Sequence, residues 1–327
     1  MITTQTPFRI SFFGGGSDIG SFYSRHPGSV LSVAINRSMY LTTHPYFDLS
    51  AIHLKYSKTE LVPSVDQIEH PILRAVLREL VPKGGIEVAS IADIPGGTGL
   101  GSSSAFTVGL IQNLNARAQR FLPPGRLAED ACRIEIDVLR EPIGKQDQYA
   151  AAFGGLNHFT FNSDGRTTVE KIFLAAETIK RLEASLFLLH LGVSRSASTI
   201  LHEQVRNLSD TSIFETQKAM VAQVEIGKQL LRDGDLDGFG RLLHEAWLLK
   251  KTLASKISDG VIDAHYQRGL EAGALGGKLV GAGGGGFLLF YCPPRAQDSF
   301  LAAMSALRRV PFGFDLSGSR IIHVSDE

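Results

Sequence analysis

Three clusters of glycine, with an arginine and a few carboxylates near them, are the residues whose types and spacing could do chemistry. Of the 34 glycines, Gly14, Gly15 and Gly16 stand together, Gly96, Gly97, Gly99 and Gly101 form a second group, and Gly281, Gly283, Gly284, Gly285 and Gly286 a third. Glycine concentrated in this way marks backbone that approaches something closely. The second cluster lies in PGGTGLGSSSA, residues 95–105, between a strand pattern and a helical one. A helix beginning there presents unpaired first-turn amides and partial positive charge, and glycines let an anion's oxygens reach those amides with no Cβ in the way. That is phosphate-binding chemistry. Ser102, Ser103 and Ser104 can cap the helix, donate to phosphate or offer a hydroxyl to Mg2+, and an ordinary Gly/Ser cap is the plainer alternative. The segment lacks the lysine of the Walker loop, GxxxxGK[ST], and the spacing of the dinucleotide fingerprint, GxGxxG, which disfavours both of those nucleotide folds.

Arg9 is an always-charged donor between Phe8 and Ile10, so its partner should be fixed, although an alternating strand could also place it in a surface ion pair. Asp147, in GKQDQYAAAFGG, opens a probable helix bounded by Gly144 and Gly154, and local sequence alone reads equally as a helix cap. The third cluster joins two apolar strand candidates and has no titratable side chain between Gly281 and Gly286. Its minimal reading is a tight turn needing positive φ.

These groups need a scaffold, and the rest of the sequence supplies one of mixed type. Residues 8–13, 29–39 and 86–91 are rich in β-branched or aromatic residues and read as strands, with 53–56 a weaker one. Helical periodicity covers residues 72–80, where Ile72, Leu73, Val76, Leu77 and Leu80 share a face, and longer stretches at 103–121 and 127–139. The second half opens on an apolar strand at 186–191 and runs helical over 198–272, broken near Asp210, between Asp233 and Asp237, and at 258–260. It closes with strands at 278–282, 286–291 and 321–324 around a helix at 295–309. Strands and helices mix without strict βαβ alternation, which points to an α+β fold. A chain of 327 residues suits two domains, and element order puts the division at 1–180 and 181–327.

Thirty-three basic residues balance 33 acidic ones, so no global field draws the chain to nucleic acid or an anionic membrane, and any anion site must be local. Cys132 and Cys292 are too few for a disulfide framework and lack zinc-site spacing; they read as reduced thiols. The opening residues have no basic n-region followed by an apolar h-region, and no apolar run reaches membrane-spanning length. The expectation is a soluble, cytoplasmic protein.

The glycine segments also follow a specific order. TPFRISFFGGGSD, with Pro7, Arg9, the glycines and Asp18, then PGGTGLGSSSA, then KLVGAGGGGF resemble three motifs of the GHMP kinases, the family of galactokinase, homoserine kinase, mevalonate kinase and phosphomevalonate kinase. Together the motifs span residues 6–287, nearly the whole chain. The resemblance implies a two-domain α+β fold, with a ribosomal S5 domain 2-like N-terminal part, a ferredoxin-like C-terminal part and the active site in the cleft between them. It implies ATP lying on Pro95, Gly96, Gly97, Gly99, Leu100, Gly101, Ser102, Ser103 and Ser104. It makes Asp147, in GxxDQ, the residue that accepts the proton of the acceptor hydroxyl, and places Arg9 near the transferred phosphoryl group. Glu135, twelve positions before Asp147, matches the family's metal-binding glutamate and would share one Mg2+ with Ser103. Asp137 is a nearby competitor for that role, and Ser102 could be the hydroxyl ligand instead.

Asp18, with Gly15, Gly16 and Ser17, resembles the site that binds sugar hydroxyls, while Gly284 belongs to a loop that helps shape the site. GGGSD stands where galactokinases carry a glutamate–histidine pair, which argues against galactose. TPFRISFFGGGSDIGSFY, KYSKTE with IEHPILRAVL, GKQDQYAAAFGGLNHF and LGVSRSAS are more similar to the heptose 7-phosphate kinase branch of the family. That implies phosphorylation of the anomeric hydroxyl of D-glycero-α-D-manno-heptose 7-phosphate to the 1,7-bisphosphate, for capsule or lipopolysaccharide heptose, with a homodimer as one arrangement. The acceptor's own phosphate needs a second anion site; Arg195 in VSRSAS is preferred to Lys145, Arg25 and Arg37. The alternatives are another acceptor, such as fucose, mannose or an octose phosphate, and a relative that binds without transfer. Intact Arg9, Ser103, Glu135 and Asp147 argue against the latter.

Overall fold

The structure, a computed structural model, describes residues 1–81, 84–192 and 197–325. Its first half runs β1 (Ile2–Phe13), α1 (Gly20–Tyr23), β2 (Gly28–Pro45), β3 (Ile52–Lys55), β4 (Thr59–Val62), α2 (Pro71–Leu80), β5 (Ile86–Ala92), α3 (Ser102–Arg117), α4 (Pro124–Cys132), α5 (Gln146–Phe153), β6 (Leu156–Phe161) and β7 (Thr167–Lys171). The second half continues with α6 (Ala176–Ser185), β8 (Leu186–His190), α7 (Ala197–Asn207), α8 (Thr211–Asp233), α9 (Leu236–Lys251), α10 (Gly260–Glu271), β9 (Gly276–Leu279), β10 (Phe287–Tyr291), α11 (Gln297–Ala303), β11 (Arg308–Arg309) and β12 (Arg320–Val324).

The antiparallel pair β1–β2 is the spine of the first sheet, whose order is β12-β1-β2-β5-β3-β4, with β6 and β7 added along β2. Only half of that spine has a wet face. In β2, residues 39–44 alternate between buried and partly exposed, whereas residues 28–35 are buried throughout; β1 likewise alternates up to Thr6 and is then buried to Phe13. The change of pattern follows the layers. Helices α3 and α5 pack on the spine, while α8 and α9 also reach it, so its inner half has packed neighbours on both faces.

The second sheet has the order β11-β8-β10-β9, and apart from the exposed edge strand β11 it is buried on both faces, which explains the uninterrupted apolar runs LFLL and FLLFY. Leu186, Leu188, Phe287, Leu289 and Tyr291 join the main core, while Phe187, Leu189, Leu288 and Phe290 point to a second core with Trp247 and Phe300. The chain passes from the first sheet to the second between Lys171 and Leu186, and returns to the first at Arg320, where β12 pairs antiparallel with β1.

Several sequence expectations need correction. The helix expected over 295–309 is confined to α11, because Arg308 and Arg309 pair with β8 as an edge strand. The helix expected over 127–139 is α4 followed by one π-helical turn, Arg133–Val138. Strands β4, β6 and β7 and helix α6 were not anticipated. No helix among the described residues is long and apolar enough to cross a membrane. Cys132 and Cys292 are free and buried.

Phe239 of α9 ties the two halves together. It is fully buried, and its ring makes edge contacts with Phe12 and Phe13 of β1 at 5.1 and 5.2 Å between centroids, while α9 also packs on β9. Phe239→Ala is expected to lower unfolding free energy by about 3–5 kcal/mol, measured by urea denaturation.

Candidate active site

Arg9 sits on the buried half of β1 and reaches across to the first turn of α5. Its Nε and Nη2 each donate to one oxygen of Asp147, at 2.7 Å, and Nη1 donates to the Gly99 carbonyl at 2.6 Å. The Arg9 amide donates to the Leu100 carbonyl at 3.0 Å, so one strand residue holds both the glycine loop and the carboxylate. The local sequence explains the fit. Gly101, with φ +77, is the residue before α3, and a Cβ there would lie 3.2 Å from Asp147 Oδ2 and 3.4 Å from Arg9 Cγ. The serines do not cap α3: the N-cap is Gly101 and Ser102 is already helical.

Asp18 forms a second fixed carboxylate. Oδ1 accepts from the Gly16 amide at 3.1 Å and Gln146 Nε2 at 3.0 Å, and Oδ2 accepts from the Gln146 amide at 3.0 Å. Burial raises its pKa, and the Asp147 charge adds to this, against the pull of the backbone hydrogen bonds. Glu135, from the π-helical turn, is a third. Its Oε1 accepts from Ser103 Oγ at 2.9 Å and its Oε2 from Gln148 Nε2 at 2.7 Å. Burial pushes its carboxyl up to about 7 despite those hydrogen bonds. All three carboxylates line one cavity of about 320 Å³, with Arg9, Gly15, Gly16, Gly97, Gly99, Gly101, Ser102, Ser103 and Ser104. The site thus opposes the N-terminus of a long helix to two fixed carboxylates across an arginine, which suits transfer of an anionic group to a hydroxyl.

The family model described as the GHMP kinases N terminal domain matches residues 52–155, and the one described as GHMP kinases C terminal matches residues 228–309. The chain belongs to the GHMP kinase family. With that membership it is a phosphotransferase that takes an alcohol group as acceptor. A D-glycero-alpha-D-manno-heptose 7-phosphate kinase of Campylobacter jejuni is 27% identical over 314 residues, covering 93% of each chain. A galactokinase of Pyrococcus furiosus is 24% identical, covering 87% of each. The solved structure of a D-glycero-D-manno-heptose 1-phosphate kinase from Bacteroides thetaiotaomicron superposes with a TM-score of 0.81 over the full length of both chains, at 23% identity. The mixed two-domain GHMP kinase fold is therefore that of this chain.

Not every residue singled out in the sequence reaches the cavity of this GHMP kinase. Pro95 and Gly96 lie exposed at the outer end of the phosphate loop, and Leu100 is buried beneath it. Ser17 Oγ sits between the carbonyls of Gly14 and Ser29, at 2.7 and 2.9 Å, and accepts from the Ser29 amide, so it shapes the turn instead of lining the cavity. Gly284 donates its amide to the Ile257 carbonyl at 2.9 Å. Its neighbours Gly281 and Gly286 matter more: Cβ atoms there would fall 2.5 Å from Gly99 Cα and 2.2 Å from the Thr98 carbonyl oxygen. The third glycine segment is thus packed against the phosphate loop. Arg195 lies outside the described residues. The other anion-site candidates are engaged elsewhere: Arg25 with the Leu208 carbonyl and the Phe214 ring, Arg37 with the Pro311 carbonyl and Lys145 with the Gly165 carbonyl.

The cavity wall also includes Ser11, Gln146, Lys250 and Lys278, which sequence reasoning missed. Gln146 had a signal, since it adjoins Asp147 in the motif itself. Lys278 opens the segment KLVGAGGGGF, whereas Lys250 is a single charge in a helix with no motif around it.

Ser103 and Glu135 fit Mg2+. A carboxylate beside a hydroxyl is a hard oxygen pair, and one carboxylate leaves most of an octahedral shell to water and phosphate oxygens. Among the described residues no group of three or more His, Cys, Asp or Glu could form an all-protein cage.

Gly144 leaves room for Asp18: a Cβ at Gly144 would lie 2.0 Å from Asp18 Oδ2. Gly144→Ala is therefore expected to displace that carboxylate and destabilise the fold by about 1–3 kcal/mol, measured by urea denaturation.

Proposed function

We propose that this GHMP kinase transfers the γ-phosphoryl group of ATP to the anomeric hydroxyl of D-glycero-α-D-manno-heptose 7-phosphate, giving the 1,7-bisphosphate for nucleotide-activated heptose. The observation that carries the reading is the two-point pair between Arg9 and Asp147, set between the phosphate loop and Asp18. The Campylobacter jejuni relative, matched over almost its whole length, supports the choice of acceptor. GGGSD, in place of the galactokinase glutamate–histidine pair, favours it over galactose.

In this reading the phosphates of ATP lie against the first turn of α3 and the glycines before it, where amides and the helix dipole offset their charge. Ser103 and Glu135 would hold Mg2+, which when bound neutralises charge on the β- and γ-phosphates. Asp18, immobilised by three hydrogen bonds, accepts from sugar hydroxyls, and Gly15 and Gly16 allow the ring to approach the backbone. Asp147 receives the proton of the attacking hydroxyl. Arg9 uses three of its five N–H groups on Asp147 and Gly99, leaving two for the oxygens of the transferring group.

The deciding measurement is ATP consumption by the purified protein against a panel of sugars and sugar phosphates. Turnover is expected with heptose 7-phosphate; turnover confined to unphosphorylated sugars would exclude that acceptor. Asp147→Asn should lower kcat at least about 100-fold, and undiminished turnover would remove Asp147 from its role. Glu135→Gln should raise the Mg2+ concentration needed for half-maximal rate by about tenfold or more, read from a magnesium titration.

A further inference from the structure

Two buried lysines in the cavity wall have no part in the mechanism above. Lys250, in the last turn of α9, donates through Nζ to the carbonyls of Leu279 at 2.9 Å and Gly281 at 2.5 Å. Lys278, on β9, donates to the Phe12 carbonyl at 2.8 Å. Both line the same cavity as Arg9. Lys250 is 7% exposed and Lys278 5%, and among the described residues neither has a carboxylate within ion-pair distance. The charged neighbours that act on them are also cations: Arg9 acts on both, and Lys278 on Lys250.

Removing an ammonium from water with no counter-ion is costly, and a second and third cation nearby add to the cost. Burial and this repulsion pull Lys278 down to about 7 and Lys250 well below its usual range. Carbonyl oxygens satisfy only part of the donor capacity. Each ammonium has three N–H groups, so one remains on Lys250 and two on Lys278. Those carbonyls also fix the location. Gly281 packs against Gly99 of the phosphate loop, Arg9 donates to the Gly99 carbonyl, and Phe12 lies just before the glycines of the first cluster. The three cations therefore meet where the phosphate loop touches the third glycine segment.

We propose that Lys250 and Lys278, together with Arg9, form a phosphoryl-binding site at this junction, and that it holds the terminal phosphate of the nucleotide. The identity of the anion rests on the kinase reading; the existence of the site rests on the buried, unpaired cations alone. A phosphate carried by the sugar has the same chemistry and is the other source.

The test is isothermal titration calorimetry on the full chain and its Lys250→Met and Lys278→Met variants, using tripolyphosphate, a non-hydrolysable ATP analogue, ADP and mannose 6-phosphate. Lys278→Gln is added because it keeps a donor for the Phe12 carbonyl while removing the charge. The variants should bind tripolyphosphate and the ATP analogue at least about tenfold more weakly, with ADP and mannose 6-phosphate changed less than about threefold. The midpoint of thermal unfolding without ligand should hold or rise in the Met variants, since an apolar chain replaces a buried charge. A lower midpoint with unchanged affinities would mean that the lysines only tie carbonyls together, and would overturn the site. Loss confined to mannose 6-phosphate would assign the site to the acceptor's phosphate and overturn its assignment to the nucleotide. Wild-type protein that binds tripolyphosphate but neither nucleotide would sink the kinase reading while supporting the anion site.

Discussion

The arrangement depends on a guanidinium held in a nearly dry position. Arg9 is 5% exposed, and a charge so placed must find its partners within the fold. Its three hydrogen bonds to Asp147 and Gly99 tie β1, α5 and the phosphate loop to one planar group. The fork geometry of arginine matches both carboxylate oxygens at once, which a lysine could not do. Orientation of the carboxylate and placement of the loop are therefore one constraint, met by a single side chain from the buried half of β1.

Around that pair the cavity concentrates charges that a core would normally exclude. Glu135 and Asp18 are pushed upward by burial, Lys278 and Lys250 downward. In each case burial disfavours the ionised form. In the proposed reading, phosphate oxygens would offset the lysines and a divalent cation would offset the glutamate.

The motifs with local meaning were legible in the sequence. The phosphate loop could be placed before a helix because glycine and serine punctuate the change from strand to helical periodicity, and Arg9 was conspicuous as a charge inside an apolar strand. The strands of the second sheet were legible as short apolar runs. What escaped were elements and residues whose role is set at long range. Strand β7, TTVEK, is polar and only partly buried, so it shows no core pattern, and β11 is a two-residue edge strand of arginines. Lys250 and Lys278 were not singled out in the sequence; only the packing of α9 against β9 shows that they are buried. Ser17 shows the converse, since its motif position points to substrate while its hydroxyl closes a turn.

The interlock between the phosphate loop and the third glycine segment also sets the order of assembly. Gly99 and Gly281 touch although 182 positions separate them in the chain, and Thr98 and Gly286 meet across a similar span. Contacts of such sequence separation cost loop-closure entropy before they return any stability. The nucleotide loop therefore gains its final backing only after the second sheet has formed and docked. With only the first sheet in place, the loop would lack the glycine segment that packs against Thr98 and Gly99.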